Sequence, residues 1–145
     1  MKNEAKFWKN DLKHGFKSMG DANRLESHAT SVGRPDVNIC LIGGIVWDLE
    51  LKYSNTNHTR LRPAQRGWLF RRRRVGGNCG VLTKWEQADT TLYLFNIRFP
   101  DNNDMYDWEQ YADAVWESKI DWAELEHVLR TEHARTTERY FGTKK

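Results

Sequence analysis

Features that mark secreted and membrane proteins are scarce in this chain. Only two of its 145 residues are cysteines. Cys40 and Cys79 are too few for a disulfide framework or a zinc site, so we expect a reducing, intracellular compartment. No stretch approaches the roughly 18–20 apolar residues that a bilayer helix needs. The first residues lead into a mixed polar segment without an apolar run, and we therefore expect no signal peptide.

Acidic residues are missing from the middle of the chain. Residues 53–84 contain eight basic side chains and no acidic one. Residues 1–84 carry 16 Lys and Arg against 7 Asp and Glu, hence a net charge of +9, whereas residues 85–145 carry 7 against 13, hence −6. A basic surface of this kind is the electrostatic footprint of a polyphosphate partner such as nucleic acid. From charge alone, a solvated surface that pairs with the acidic C-terminal half is an equally good explanation.

The length and the aromatic content predict one folded domain. The chain is long enough to bury a core, and its seven tryptophans argue against wholesale disorder. Apolar residues at spacings of four and three predict an amphipathic helix over residues 2–19. Residues 21–34 are predicted to be mostly loop, with a short strand around residues 24–28.

Two runs with alternating polarity predict a β-hairpin around Gly43-Gly44. In the runs 36–42 and 45–52, every odd position carries an apolar side chain. Only a pairing whose residue numbers add to an even value places all of them on one face. A two-residue Gly-Gly turn would pair residues 42 and 45, whose numbers add to an odd value. We therefore expect a three- or five-residue loop, or a bulge.

The even register also gathers polar residues on the other face of the hairpin. Asp36 then lies opposite Glu50 or one pair away, with Cβ atoms roughly 5–8 Å apart. Two carboxylates at that separation can hold one divalent metal such as Mg²⁺, and the carbonyl oxygen of Leu51 could be a third ligand. Lys52 lies two residues beyond Glu50, where it can contact a water molecule or a scissile phosphate.

Downstream of the hairpin, the pattern predicts a crossover helix, two strands and two further helices. The first helix begins near Arg62, has Pro63 at its first position, includes the Arg71–Arg74 run and ends at Gly76-Gly77. Strands are predicted over residues 79–85 and 90–99, and helices over residues 104–119 and 121–135. The tail after residue 135 is expected to fray.

The order of these motifs resembles the PD-(D/E)XK nuclease superfamily, in particular its VRR-NUC group and the small phage-type Holliday junction resolvase-like nucleases. The resemblance covers about residues 24–84. It rests on Gly33-Arg34-Pro35-Asp36, then Glu50-Leu51-Lys52, then a helix that opens with Gln65. It implies an α/β (α+β) fold with a restriction-endonuclease-like core, that is, a central mixed β-sheet flanked by helices. The core would span about residues 1–99 and carry an acidic helical C-terminal extension over about 104–135, which these small nucleases often lack.

By the same resemblance, Asp36 and Glu50 bind the metal, Lys52 is the catalytic lysine, and Gln65 is the helix residue that faces the site. The family also carries an acidic residue on its first helix. Glu4, on the predicted N-terminal helix, and Glu26, just before the loop that leads to Gly33, compete for that role. The implied cofactor is Mg²⁺, for which Mn²⁺ would substitute.

The resemblance implies a DNA endonuclease acting on branched or structured DNA, found in the cytoplasm of a phage-infected bacterium. Symmetric cleavage of a junction implies a homodimer. Six basic residues are candidates for holding DNA phosphates: Arg34, Arg60, Arg62, Arg66, Arg71 and Lys84.

Other functions remain open at the level of the sequence. They are a nuclease for linear or nicked DNA in phage replication or host-DNA degradation, a non-catalytic DNA-binding protein with a nuclease fold, and an interaction protein that uses its acidic C-terminal helices. Because four consecutive residues on a helix point in different directions, at most two arginines of the Arg71–Arg74 run can contact one duplex backbone. The others would pair with the acidic C-terminal half or with a second subunit.

Overall fold

The chain forms a six-stranded mixed β-sheet flanked by helices. The computed structural model describes residues 3–25, 33–56, 59–98 and 105–141. Helix α1 runs through three contiguous segments, of which the middle one is π-helical: Asn3–Lys6, Phe7–Leu12 and Lys13–Met19. The other helices are α2 (Pro63–Arg74), α3 (Met105–Gln110) and α4 (Trp122–Phe141). The strands are β1 (Gly20–Arg24), β2 (Val37–Leu41), β3 (Ile45–Ser54), β4 (Cys79–Gln87), β5 (Thr90–Asn96) and β6 (Ala114–Glu117).

The strands follow one another across the sheet in the order β1-β2-β3-β4-β5-β6. Neighbours are antiparallel except for β3 and β4, which are parallel. Parallel neighbours need a crossover connection, and α2 supplies it. The expected mixed sheet with flanking helices is therefore confirmed at this level of description.

The predicted hairpin register is confirmed. Leu41 pairs with Ile45, Ile39 with Trp47, and Val37 with Leu49, so every pair adds to an even number. The loop has three residues, and its two glycines adopt positive φ angles of 104° and 92°, which other residues rarely adopt. As a result, the odd positions of both strands face one apolar core.

The two faces of the sheet carry separate cores. Helices α1 and α4 cover one face, on which the largest fully buried side chains include Phe16, Trp47 and Leu49. We call this the apolar face. Helices α2 and α3 cover the other face, where a smaller cluster comprises Leu61, Leu69, Cys79, Val81, Leu94 and Trp108. We call it the α2 face.

Two helices agree closely with the sequence pattern. The N-terminal helix spans residues 3–19 against a prediction of 2–19. Helix α2 begins at Pro63 and is followed by Gly76 at a φ of 89°, so both predicted ends are confirmed. Strands β4 and β5 lie within two or three residues of their predicted bounds.

The predicted strand around residues 24–28 lies mostly outside the described residues. Strand β1 covers residues 20–24, and Ala22 is its one buried residue, so alternation gave little signal. One prediction in the remaining chain is wrong. Residues 114–117 were predicted to lie inside a helix over 104–119, but they form β6 against β5. Ala114 and Trp116 are buried there, whereas Val115 and Glu117 are exposed. This alternation at every second residue is typical of a strand.

The C-terminal extension is therefore only partly helical. Helix α3 covers just residues 105–110 of the long helix that was expected. In contrast, α4 continues to Phe141, beyond the predicted end at residue 135. Leu125 and Leu129 of the predicted apolar stripe are fully buried against the apolar face. Within the described ranges, no helix combines the length and apolarity required to cross a membrane.

Candidate active site

Four polar side chains meet on the α2 face, where the N-terminal end of α2 lies over β3. Asp36 directly precedes β2, Glu50 and Lys52 lie on β3, and Gln65 is the third residue of α2. Glu50 and Lys52 are two positions apart, so both point to the same face. The confirmed register of β2 and β3 extends to bring Asp36 beside Glu50.

The side chain of Gln65 forms hydrogen bonds with Glu50, with Lys52 and with the backbone N–H of Arg62. Its Nε2 donates to Glu50 Oε2 at 2.9 Å, and its Oε1 accepts from Lys52 Nζ at 3.0 Å. The same oxygen accepts from the backbone N–H of Arg62 at 2.9 Å, which satisfies a donor at the start of the helix. Because Gln65 is buried and tied to its own helix end, it holds Glu50 and Lys52 in a fixed relation.

Lys52 also contacts Glu50 directly. Its Nζ lies 3.5 Å from Glu50 Oε2, and the side chain is 14% exposed. The ammonium group is therefore held beside the carboxyl group.

Asp36 is anchored to the neighbouring strand. Its Oδ2 accepts from the backbone N–H of Leu51 at 3.0 Å. The N–H and C=O of one strand residue point to the same side of the strand, as antiparallel pairing requires. The carbonyl oxygen of Leu51 therefore also faces the side on which Asp36 lies.

The turn before Asp36 packs closely on α2. Gly33 has a φ of +85°, and a Cβ there would lie 2.2 Å from the carbonyl oxygen of Ala64. Only glycine fits between this turn and the first turn of α2. The Gly-Arg-Pro-Asp sequence thus has a packing reason: it brings Asp36 toward the end of α2 that carries Gln65.

Glu50 is held in an environment that disfavours its charge. Burial raises the pKa of Glu50 from 4.5 to about 8, the charge of Asp36 adds to this rise, and the ammonium of Lys52 opposes it. Its Oε1 is buried and meets no hydrogen-bond donor among the described residues. Either a proton shared with Asp36 or a bound cation would satisfy this oxygen.

A divalent cation fits this donor set. Mg²⁺ is commonly bound through one or two carboxylates, with water or phosphate completing its shell. Asp36, Glu50 and the Leu51 carbonyl are the groups that could hold it. Among the described residues, no group of three or more His, Cys, Asp or Glu side chains is arranged for a metal, so Glu4 does not join the two carboxylates. Glu26, the other candidate for that role, lies outside the described residues.

One neighbouring side chain was not found by sequence reasoning. Thr83 on β4 pairs with Lys52 across the parallel ladder, so its side chain lies on the α2 face. It is fully buried, and its hydroxyl has no partner among the described residues. Its place beside Lys52 depends on the register of β3 and β4, which no local pattern encodes.

The predicted DNA-binding residues separate into two groups. Arg34, Arg60, Arg62 and Arg71 are exposed, and Arg66 is partly exposed on α2. Lys84 lies instead on the apolar face, where it pairs in register with Tyr93 and its Nζ contacts Asp11 at 2.5 Å. Burial alone would lower the pKa of Lys84, but the hydrogen bond and the charge of Asp11 raise it on balance. The structure therefore places Lys84 apart from the other five candidates, because its side chain is directed away from Glu50.

No protein-family model matches this chain, and no curated protein matches it. The chemistry of the site therefore has to follow from its own residues.

Proposed function

We propose that the chain is a metal-dependent DNA endonuclease with a core of the PD-(D/E)XK type. The observation that carries the proposal is the hydrogen-bonded set in which Gln65 joins Glu50 to Lys52 beside Asp36. The order of elements also supports it. The resemblance implies a helix followed by three antiparallel strands, a crossover helix and another strand, and the chain has these elements in this order.

The proposed cofactor is Mg²⁺, held by Asp36, Glu50 and the carbonyl oxygen of Leu51. When bound, such an ion supplies Lewis-acid chemistry and makes a water molecule easier to deprotonate. The unpartnered Oε1 of Glu50 supports this assignment, since a cation would favour the ionised form of a carboxyl group that burial otherwise keeps protonated.

The protein side chains would position and neutralise the phosphate. Lys52 presents a fixed ammonium group that can stabilise negative charge developing on the scissile phosphate. Gln65 acts as a positioning residue, because it accepts from Lys52 and donates to Glu50. Arg62, one turn from Gln65 and exposed, can hold a neighbouring phosphate.

Branched or structured DNA is the proposed substrate, and a homodimer is the proposed assembly. Symmetric cleavage of a four-way junction needs two active sites related by a two-fold axis. Light scattering on the purified chain at high concentration tests this version. A strict monomer would remove the resolvase proposal and leave a nuclease for flapped, nicked or linear DNA.

A cleavage assay tests the enzyme proposal. Linear, nicked, flapped and four-way DNA are incubated with the chain in Mg²⁺, Mn²⁺ or EDTA. We expect Asp36→Asn and Glu50→Gln to lower cleavage at least 10³-fold, because losing several kcal/mol of metal-dependent stabilisation costs about tenfold per 1.4 kcal/mol. Glu117→Gln is the matched control, since Glu117 is an exposed carboxylate on the far edge strand.

Two outcomes would count against the proposal. Normal cleavage by both site variants would show that the site is wrongly assigned. No cleavage of any substrate with either metal would remove the enzyme function, and DNA binding that weakens steeply with salt would then favour a non-catalytic DNA-binding protein.

A further inference from the structure

Strand β4 carries two buried polar groups on the face of the sheet that holds the candidate active site. Thr83 and Trp85 are two positions apart on this strand, so both side chains lie on the α2 face. Thr83 is fully buried, and the indole N–H of Trp85 is buried as well. Neither the hydroxyl nor the N–H has a hydrogen-bond partner among the described residues. Buried polar groups are nearly always hydrogen-bonded, so two unpartnered groups on one strand need an explanation.

The neighbours of Thr83 in the sheet limit its choice of partner. Thr83 pairs with Leu94 of β5 on one side and with Lys52 of β3 on the other. Along β4, the adjoining residues on the same face are Val81 and Trp85. Leu94 and Val81 are fully buried and apolar. Of the residues that adjoin Thr83 within the sheet on this face, only Lys52 and Trp85 therefore carry polar side-chain atoms.

The ammonium group of Lys52 has a donor left for this hydroxyl. An ammonium group has three donor hydrogens, and the contacts with Gln65 and Glu50 account for two of them. Neighbouring strands lie about 4.8 Å apart, which places Lys52 and Thr83 side by side. The two side chains nevertheless make no direct hydrogen bond. A water molecule bridges polar groups at such a separation, and it requires two to four polar partners.

We propose that Thr83 is a positioning residue for Lys52: its hydroxyl holds an ordered water molecule that accepts a hydrogen bond from the Lys52 ammonium group. The same water can accept from the indole N–H of Trp85 and donate to the Thr83 hydroxyl oxygen, so that all three groups are satisfied. Gln65 and this water then hold the ammonium group from α2 and from β4. The role of Thr83 in catalysis rests on the proposed function, whereas its link to Lys52 does not.

A second anchor suits the chemistry proposed for Lys52. Electrostatic stabilisation of a phosphate is most effective when the donor is already oriented and needs no rearrangement during the reaction. A lysine ammonium group lies at the end of a flexible stem, so one hydrogen bond to Gln65 restrains it only in part. When Glu50 is ionised, its carboxylate attracts the ammonium group, and an anchor on β4 opposes that displacement.

A double-mutant cycle on stability tests the link without the need for enzyme activity. Urea denaturation is measured at pH 6 in EDTA, where Glu50 keeps its proton and no metal contributes. Thr83→Val keeps the shape of the side chain and removes the hydroxyl. We expect it to lower the equilibrium constant for folding about tenfold, because it leaves the water and the ammonium group short of a partner. The same substitution should have no such cost in a Lys52→Met background, which keeps the stem and removes the charge.

Thr91→Val is the matched control for this cycle. Thr91 lies on β5 and pairs with Glu86, outside the candidate active site. The effects of Thr91→Val and Lys52→Met should therefore add, as expected for residues that are not in contact.

Cleavage kinetics distinguish a positioning role of Thr83 from a packing role. Thr83→Ser keeps the hydroxyl and loses a buried methyl group, so a packing role would make it the more damaging substitution. A positioning role predicts the reverse order. Thr83→Val should lower kcat about tenfold and leave KM for DNA within about twofold, whereas Thr83→Ser should keep kcat within about threefold of the wild type.

The outcomes separate this inference from the proposed function. If Thr83→Val is as stable as the wild type, or costs the same with and without the Lys52 ammonium group, the link is wrong even if the protein cleaves DNA. If the cycle shows coupling but Thr83→Val cleaves at the wild-type rate, the positioning role is wrong. If the cycle shows coupling while the wild-type chain cleaves nothing, the link stands and the nuclease proposal fails.

Discussion

The two faces of the sheet bury side chains of opposite character, and β3 contributes to both. Its odd residues Trp47, Leu49 and Leu51 are fully buried in the apolar face. Its even residues Asp48, Glu50 and Lys52 point to the α2 face, where Glu50 is buried almost as completely. Burial on the first face follows the hydrophobic effect, whereas burial of Glu50 opposes its ionisation.

This difference indicates how the fold can maintain such a site. A continuous apolar core on one face stabilises the sheet, and α2 can then hold a carboxyl group in an unfavourable environment on the other. Strained or desolvated groups of this kind persist only where the surrounding structure fixes them. Adjacent residues of β3 should therefore respond to substitution in opposite ways.

The largest expected effect on stability comes from the apolar face. Leu49→Ala should lower the free energy of unfolding by about 2–5 kcal/mol, because it removes buried methyl groups and leaves a cavity in a closed core. Urea denaturation measures the change. Val46→Ala is the control, since Val46 is 44% exposed on the same strand and should cost less than about 0.5 kcal/mol. Equal losses in the two variants would mean that the apolar face is not the main source of stability.

Glu50 should affect stability in the opposite direction from Leu49 and by a smaller amount. Its buried carboxyl group should lower the stability of the fold when it is ionised. The pKa of this carboxyl rises from 4.5 to about 8 on folding, so the folded state binds one more proton than the unfolded state between these pH values. Stability without metal should therefore fall as pH rises through this window and level off above pH 8. The full shift corresponds to nearly 5 kcal/mol at about 1.4 kcal/mol per unit, and relaxation with water entry should reduce the loss to about 2 kcal/mol.

Glu50→Gln tests this sign directly. The variant should lack the fall in stability between pH 4.5 and 8, and it should be the more stable protein at pH 8.5 in EDTA. Added Mg²⁺ should raise the melting temperature of the wild type at that pH and leave the variant unchanged, because only the wild type binds the ion through this carboxylate. Parallel pH profiles of the two proteins would contradict the buried, proton-binding state of Glu50.

The sequence was most informative where the constraint was local. The parity of the apolar residues in the hairpin determined its register, and with it the pairing of Asp36 with the region of Glu50. Pro63 and Gly76 marked the ends of α2 because each has a conformational reason at a helix end. The contacts of Gln65 with Glu50 and Lys52 could be expected only through the family resemblance, since they join residues 13 and 15 positions apart.

The sequence was uninformative where contacts between residues far apart in the chain determine the structure. Residues 108–116 offer apolar spacings that suit a helix, and the edge of β5 was needed to select a strand at residues 114–117. Strand β1 has one buried side chain and forms through backbone pairing with β2. Likewise, the face on which Lys84 lies depends on the pairing of β4 with its neighbours and on Asp11, which is 73 positions away.

The smallest expected effect concerns Lys84. Substitution of this residue tests whether nucleic acid contacts only the α2 face or also the apolar face. Lys84→Gln should leave DNA affinity and its salt dependence unchanged, because Lys84 is directed to the apolar face and bound to Asp11. Loss of this partly buried pair should lower the free energy of unfolding by about 1 kcal/mol. Arg62→Gln is the matched comparison on the α2 face, and it should reduce the salt slope for duplex binding by about 0.9 for each lost phosphate contact. If both variants weakened DNA binding equally, nucleic acid would have to contact both faces of the sheet, and the division into a stabilising face and a binding face would fail.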